Sequence, residues 1–155
     1  MKIRIYILCV LLLGVYSCSE GGDADMNLIE SEKFLESNLD KPNIKEIESG
    51  LQYMVVNSSA GSDKPNLDTT INADFHGTLM DGSVFWSSIE NGEPLVVQLS
   101  QLIPGCQKAI SLMTVGETWR IFIHPDLAYG EAGRPGIPAN SALIFEITLH
   151  SISSS

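Results

Sequence analysis

The sequence is poor in cysteine and in basic residues, and it has no apolar run long enough to cross a bilayer as a helix. Its 155 residues include 3 cysteines, and 9 lysines and arginines stand against 19 aspartates and glutamates. The scarcity of basic residues argues against binding to DNA or RNA and against a polybasic membrane-surface mode. The longest apolar run, Ile5 to Val15, has about eleven residues, whereas a helical span needs about 20.

The amino terminus instead has the form of a targeting segment. Two basic residues precede the apolar run, which ends in Val15-Tyr16-Ser17-Cys18. This ending resembles a bacterial lipoprotein signal, in which the cysteine receives lipid and becomes the new amino terminus. We therefore expect a signal peptide over residues 1–17, lipidation at Cys18, and an acidic, glycine-containing flexible tether over residues 18–26. The alternative is an ordinary secretory signal in which Cys18 is incidental.

Removal of such a signal leaves a strongly acidic chain with one free thiol. Residues 1–17 contain two of the 9 basic residues and no acidic one, so the remainder has 7 bases against 19 acids, a net charge of −12. This acidity favours solubility. Cys9 would leave with the signal and Cys18 would carry lipid, so Cys106 would have no intrachain disulfide partner. We expect Cys106 to be a buried small apolar residue rather than a nucleophile.

Motifs of several other enzyme classes are missing. His76, His124 and His150 fall on separate predicted strands without a short ligand spacing, so we expect no metal site. The sequence also has no phosphate-binding glycine loop and no Gly-x-Ser-x-Gly element. We therefore expect no cofactor.

The length predicts one domain with short appendages. Good helix formers followed by Pro42 predict a helix from Asn27 to about Leu39, within a helical lead-in over residues 27–48. Beyond it, apolar residues alternate with polar ones, as they do in strands with one buried face. The predicted strands are Leu51 to Val56, Ile71 to Leu79, Val84 to Trp86, Leu95 to Leu99, Thr118 to His124 and Ala142 to Ile152.

One short helix and one tight turn are predicted among these strands. Ser100 is the expected N-cap of the helix, Pro104 suits its first turn, and Gly116 lies just past its end. Asp81-Gly82 predicts a hairpin turn, because glycine tolerates the positive φ that such turns need. Five or six antiparallel strands whose apolar face is covered by one helix make an α+β fold.

Five sequence blocks follow one another in a fixed order from Ser49 onward. They are Ser49 to Tyr53, Gly77 to Phe85, Met113 to Glu117, Pro125 to Gly130 followed by Ile137-Pro138, and Leu143 to Ile147. The order and spacing resemble the FK506-binding (FKBP) type of peptidyl-prolyl isomerase, with an isomerase domain over residues 49–155. The lead-in segment Phe34 to Asn38 also resembles the macrophage infectivity potentiator branch of bacterial members. The resemblance implies a twisted antiparallel sheet wrapped around one short helix, with a shallow apolar pocket between them.

The implied activity is rotation about the bond that precedes proline. The uncatalysed barrier is about 18–20 kcal/mol, because rotation destroys amide resonance. No bond is made or broken, so the enzyme needs no nucleophile, metal or cofactor. It needs a site that binds the twisted amide better than either planar form.

The resemblance also assigns roles to residues of this chain. Tyr129, Phe85 and Ile103 take the catalytic positions: the Tyr129 hydroxyl donates to a substrate carbonyl, and the Ile103 backbone N–H holds the peptide. The alternative for each pocket position is an ordinary core residue. The implied substrate-binding residues are Phe75, Trp86, Leu95, Leu102, Cys106, Ile137 and Phe145.

Three of these positions depart from the family pattern. Phe75 stands where the family has a tyrosine, Trp86 where it has an aspartate, and Cys106 where it has the tryptophan of the pocket floor. Our interpretation is a reshaped pocket in which catalysis survives at a reduced rate. Trp86 either turns inward to refill the lost volume or lies outside the pocket.

The resemblance also implies a cellular location and binding partners. We expect a bacterial envelope protein, anchored by lipid to a membrane, more specifically the outer membrane, with the domain in the periplasm or at the surface. The expected partners are proline-containing peptides and unfolded envelope proteins, and FK506-like macrolides are candidate ligands. The alternatives are a non-catalytic chaperone that binds proline peptides and a scaffold with a vestigial pocket. The short lead-in favours a monomer.

Overall fold

The computed structural model describes residues 20–153, which form one seven-stranded antiparallel sheet and three helices. The expected signal peptide and the lipidation site at Cys18 lie outside the described residues. The strands are β1 (Lys45–Glu48), β2 (Leu51–Asn57), β3 (Thr70–Thr78), β4 (Val84–Ser87), β5 (Leu95–Gln98), β6 (Thr118–Ile123) and β7 (Leu143–Ser153). The helices are α1 (Glu20–Leu39), α2 (Ser88–Asn91) and α3 (Pro104–Ile110). Within residues 20–153, no helix combines the length and apolarity that a bilayer crossing requires.

The sheet confirms the expected α+β fold and has one strand more than its upper estimate. The strand order is β1-β2-β6-β7-β3-β4, and β5 also pairs with β3. The additional strand β1 lies in the segment predicted as helical lead-in and pairs antiparallel with β2. Three of its four residues are charged, as is typical of an edge strand. Because the same composition is also typical of a helix, the sequence predicted a helical segment here.

The first helix is longer than the sequence indicates. α1 begins at Glu20 rather than Asn27, so residues 20–26, which were expected to form a flexible tether, are its first turns. Two features account for the extension. Acidic residues in the first turns interact favourably with the positive helix end, and the Ala24 carbonyl accepts a hydrogen bond from Asn140 Nδ2 at 3.1 Å.

Polar contacts fix α1 to the domain. The buried Ser31 hydroxyl donates to the Asn140 carbonyl at 2.9 Å and accepts from the Ala142 N–H at 2.9 Å. Farther along the helix, buried Gln52 donates to the Leu35 carbonyl at 2.8 Å. Buried backbone groups without partners are costly, so these bonds specify one docked position for the helix.

Helix α3 covers the inner face of the sheet. Its N-cap is Ile103 and not Ser100, which lies in a 3₁₀ turn over Leu99–Gln101. Pro104 occupies the first turn as expected. The core shared by α3 and the sheet contains Cys106, Ala109, Ile110, Met113, Ile121, Ile123, Ile147 and Leu149.

The predicted alternation and hairpin turn are both present. The odd-numbered residues of β3 from Ile71 to Gly77 are buried and their neighbours are half-buried. Gly82 has φ +85° in the turn before β4, and the Leu79 N–H donates to the Ser83 carbonyl at 2.9 Å. The hairpin therefore places Phe85 on the same face as Phe75, where the candidate site lies.

Candidate active site

An open cavity of about 480 Å³ lies between α3, the β3–β4 hairpin and the loop after β6. All ten side chains that the sequence predicted for the site line this cavity, together with three that it missed. The predicted ones are Phe75, Phe85, Trp86, Leu95, Leu102, Ile103, Cys106, Tyr129, Ile137 and Phe145, and the missed ones are Gln101, Arg134 and Pro135.

Three phenylalanines form the aromatic wall of the cavity. The rings of Phe85 and Phe145 meet edge to face, with centroids 5.3 Å apart at 89°. Phe75 meets Phe145 in the same way, at 6.1 Å and 87°. Such edge-to-face pairs stabilise one arrangement of the rings beyond the effect of burial, so the wall is rigid and apolar.

Trp86 forms a side of the cavity near its opening. It is 37% exposed, and its ring lies edge-on to Phe75 with centroids 6.1 Å apart. Of the two orientations considered from the sequence, the indole is therefore directed towards the cavity and contacts the aromatic wall. Its outer part remains in water.

Cys106 lies in the floor of the cavity and is 2% exposed. Burial raises the pKa of its thiol far above the ordinary value, because the charged thiolate loses its hydration. The thiol therefore stays protonated and is a poor nucleophile. Its role is that of a small floor residue, as the sequence indicates.

The segment before α3 presents Leu102 and Ile103 to the cavity. The Gln107 side chain donates to the carbonyls of Ser100 and Leu102, at 3.0 and 2.6 Å. Ile103 is the N-cap of α3, and its carbonyl accepts from the Gln107 N–H at 3.0 Å. The N–H of an N-cap residue stands outside the hydrogen-bond ladder of its helix, so the Ile103 N–H is placed to bind a peptide carbonyl.

Tyr129 and Arg134 form the polar side of the cavity. Arg134 Nη1 donates to the Tyr129 hydroxyl oxygen at 2.8 Å, and the guanidinium carbon lies 4.9 Å from the centre of the tyrosine ring. Arginine has no acceptor, so in this bond the tyrosine oxygen must accept. The hydroxyl proton of Tyr129 is consequently free to donate to another group.

The backbone of the loop after β6 fixes both side chains. Arg134 and Ile137 exchange two backbone hydrogen bonds, at 2.9 and 2.8 Å. The Gly130 carbonyl accepts from the Asn140 N–H at 2.8 Å, which closes the wider loop. The sequence did not reveal Arg134 because the family resemblance assigns no role to its position, although the glycines on either side of Arg134-Pro135 are a turn signal.

Comparison with known proteins places this geometry in a family. A family model described as "FKBP-type peptidyl-prolyl cis-trans isomerase" matches residues 61–150. A second, described as "Domain amino terminal to FKBP-type peptidyl-prolyl isomerase", matches residues 19–55. The two matches together span the described helix α1 and nearly all of the sheet.

Individual relatives agree with the family models. The chain is 42% identical over 130 residues to the "Outer membrane protein MIP" of Legionella longbeachae, covering 83% of this chain and 55% of that one. It is 41% identical over 130 residues to the "FKBP-type peptidyl-prolyl cis-trans isomerase FkpA" of Aeromonas hydrophila, covering 84% and 48%. The crystal structure of FkpA from Escherichia coli superposes with a TM-score of 0.83 at 34% identity, covering 87% and 63%. The chain spans about half the length of the curated relatives it matches.

Proposed function

Because the chain belongs to the FKBP-type peptidyl-prolyl cis-trans isomerase family, we propose that it catalyses rotation about the bond before proline in peptides. The observation that carries this proposal is the open apolar cavity, in which the Tyr129 hydroxyl, the Ile103 N-cap and the three phenylalanines face one space. A cavity filled by the chain's own side chains would have left no room for a pyrrolidine ring.

The cavity lowers the barrier by favouring the twisted amide. A planar amide has more charge separation than a twisted one, so the planar form loses more when it leaves water for an apolar site. The phenylalanine wall and the buried Cys106 floor supply such a site. Only interactions that are stronger in the transition state accelerate the rotation, and this difference in desolvation is one of them.

Hydrogen bonds hold the peptide while the bond rotates. The Tyr129 hydroxyl, whose oxygen accepts from Arg134, donates its proton to a substrate carbonyl. The Ile103 N–H binds a second carbonyl of the peptide. Two fixed donors hold the peptide in the cavity in one orientation while the prolyl bond rotates.

The departures at three positions reduce the rate but leave the mechanism. Phe75 lacks the hydroxyl of the tyrosine in the family pattern, and Trp86 lacks the carboxylate of the aspartate. Cys106 lacks the indole of the tryptophan that forms the pocket floor in the family pattern. Fewer contacts to the twisted amide mean less transition-state stabilisation. We expect turnover below that of a pocket with the full family pattern.

We further propose where the enzyme works and on what. Residues 1–17 are a lipoprotein signal peptide, Cys18 carries the lipid, and residues 49–155 are the isomerase domain behind the lead-in of residues 27–48. The domain then acts in the bacterial envelope on unfolded proteins that contain proline, and FK506-like macrolides compete for the pocket. One relative is named an outer membrane protein, which supports a membrane location.

Two substitutions test the function in one experiment. Tyr129→Phe removes the hydroxyl donor, and Phe85→Ala removes part of the aromatic wall. We expect both to lower kcat/KM for a leucine-proline peptide, by about tenfold for Phe85→Ala, since the half-buried ring supplies apolar contact worth about 1.5 kcal/mol to a bound proline. Suppression of aggregation of an unfolded protein is measured in parallel. Unchanged turnover in both folded variants would contradict the proposed site.

A further inference from the structure

Among residues 20–153, Arg134 is the only charged residue that lines the cavity. The other twelve lining residues are apolar or aromatic, except for Gln101 and the hydroxyl of Tyr129. This cation stands out because the chain as a whole has a net charge of −10. A single positive group in an apolar site makes that site favour negatively charged ligands over positively charged ones.

The guanidinium still has hydrogen-bonding capacity to spare. Of its five N–H donors, the contact with Tyr129 uses one on Nη1. Lys108 and Arg120 pair with Glu48 and Glu146, but within residues 20–153 no carboxylate forms an ion pair with Arg134. Two contacts fix the position of Arg134. Its backbone forms a bridge with Ile137, and its guanidinium lies over the ring of Tyr129. The free donors therefore remain available to an acceptor outside the chain.

The location of Arg134 defines where that acceptor lies on a peptide. Its guanidinium contacts the Tyr129 hydroxyl, which under the proposed function binds a substrate carbonyl. With the proline ring in the apolar cavity, the residue before proline lies along this polar side, so its side chain is within reach of Arg134. A carboxylate there matches the planar guanidinium, which binds carboxylates through two parallel hydrogen bonds.

We propose that Arg134 makes the enzyme selective for peptides with an acidic residue immediately before proline. This inference rests on the proposed isomerase function. The long-range repulsion from the acidic chain does not prevent it, because charges farther apart than about 8 Å are screened at about 0.15 M ionic strength. Arg134 and the substrate carboxylate lie within that distance.

The test compares three peptides that differ only at the residue before proline: glutamate, glutamine and leucine. Glutamine has the shape of glutamate without its charge, so the ratio of kcat/KM for the two peptides isolates the electrostatic effect. Exposed ion pairs contribute modestly, so the expected ratio for the natural chain is about two- to fivefold in favour of glutamate at about 0.15 M ionic strength.

Variants assign the preference to one side chain. Arg134→Leu should bring the glutamate-to-glutamine ratio to about one, and Arg134→Lys should keep part of it because the charge is retained. Lys33→Leu is the matched control: it also removes one positive charge, but from an exposed position of α1 that does not line the cavity. The ratio in this control should equal that of the natural chain.

The leucine peptide separates the possible failures. If leucine-proline is isomerised but glutamate is no better than glutamine, the selectivity is wrong and the isomerase function stands. The same conclusion follows if Arg134→Leu keeps the natural ratio. If no peptide is isomerised by the folded protein, the proposed function fails and the inference fails with it.

Discussion

Phe85 lies so close to Gly77 that a β-carbon on the glycine would come within 2.6 Å of the ring's Cζ. The same β-carbon would lie 2.8 Å from Cε1 of Phe145. Atoms of real side chains do not approach this closely, so one or both rings would have to move. The absence of a side chain at Gly77 is therefore what allows the edge-to-face pair to form.

Gly77→Ala should displace these rings and impair the pocket. Overpacking of this kind costs about 1–3 kcal/mol, and we expect both a lower free energy of unfolding and a several-fold lower kcat/KM for a proline peptide. Gly82→Ala is the control, because its β-carbon meets no atom within 4 Å although its φ is +85°. That variant should lose stability through backbone strain and keep its kcat/KM. Equal turnover in the two variants would contradict this account of Gly77.

Trp86 should report peptide binding by its fluorescence. The chain has 2 tryptophans: Trp86 at the cavity opening, and Trp119, which is 6% exposed and stacks on Tyr53 at 4.3 Å. A proline peptide in the cavity changes the surroundings of Trp86 and not those of Trp119. We expect the emission change on adding peptide to vanish in Trp86→Phe and to persist in Trp119→Phe. The reverse result would remove Trp86 from the peptide site.

Ser31→Ala should loosen the attachment of α1. The substitution leaves the Asn140 carbonyl and the Ala142 N–H without their buried partner, which costs about 1–3 kcal/mol. We expect a corresponding fall in the free energy of unfolding in urea. Ser37→Ala is the matched control, since the exposed Ser37 hydroxyl donates to the Phe34 carbonyl of its own helix and, in the described part of the chain, does not bridge two elements. Equal losses in the two variants would mean that the bridge made by Ser31 is unimportant.

The buried thiol of Cys106 should make stability depend on alkaline pH. Burial raises its pKa, so the folded chain keeps the proton at a pH where the unfolded chain releases it. Stability is thus unaffected below the ordinary thiol pKa of about 8.5 and falls above it, by up to about 1.4 kcal/mol per pH unit.

Urea unfolding at about pH 8 and about pH 10 measures this effect. Lysines and tyrosines also titrate in that range, so the relevant quantity is the difference between the natural chain and Cys106→Ala. We expect the natural chain to lose more stability over the interval than the variant does. Parallel pH profiles would show that the thiol ionises as readily in the folded chain as in the unfolded one.

The sequence predicted the strands that have one buried face and missed the elements that lack one. The alternation from Ile71 to Gly77 identifies β3 because every second side chain enters the core. β1 has no such pattern, since three of its four residues are charged. The four-residue helix α2 depends on the Ser87 cap and on Gly92 at its end, and a segment this short has no periodicity to detect.

All ten predicted side chains line the cavity, four of them inside the matched blocks and six at positions between the blocks to which the family resemblance assigns a role. Phe85, Tyr129 and Phe145 fall inside blocks with a recognisable order, and the structure brings them to one cavity. The contact of Arg134 with Tyr129 was not predictable, because it depends on the loop closure that joins Arg134 to Ile137. Such a closure leaves no periodic signal in the sequence.

Exchange NMR on a proline peptide tests the central claim most directly, because it measures the rate of cis–trans rotation without a coupled reaction. A small amount of the folded chain is added to an excess of a peptide with leucine before proline. We predict that cross peaks between the cis and trans signals grow faster than in buffer alone, and that Tyr129→Phe reduces the acceleration. A rate equal to that in buffer, from protein whose fold is verified in the same sample, would contradict the account.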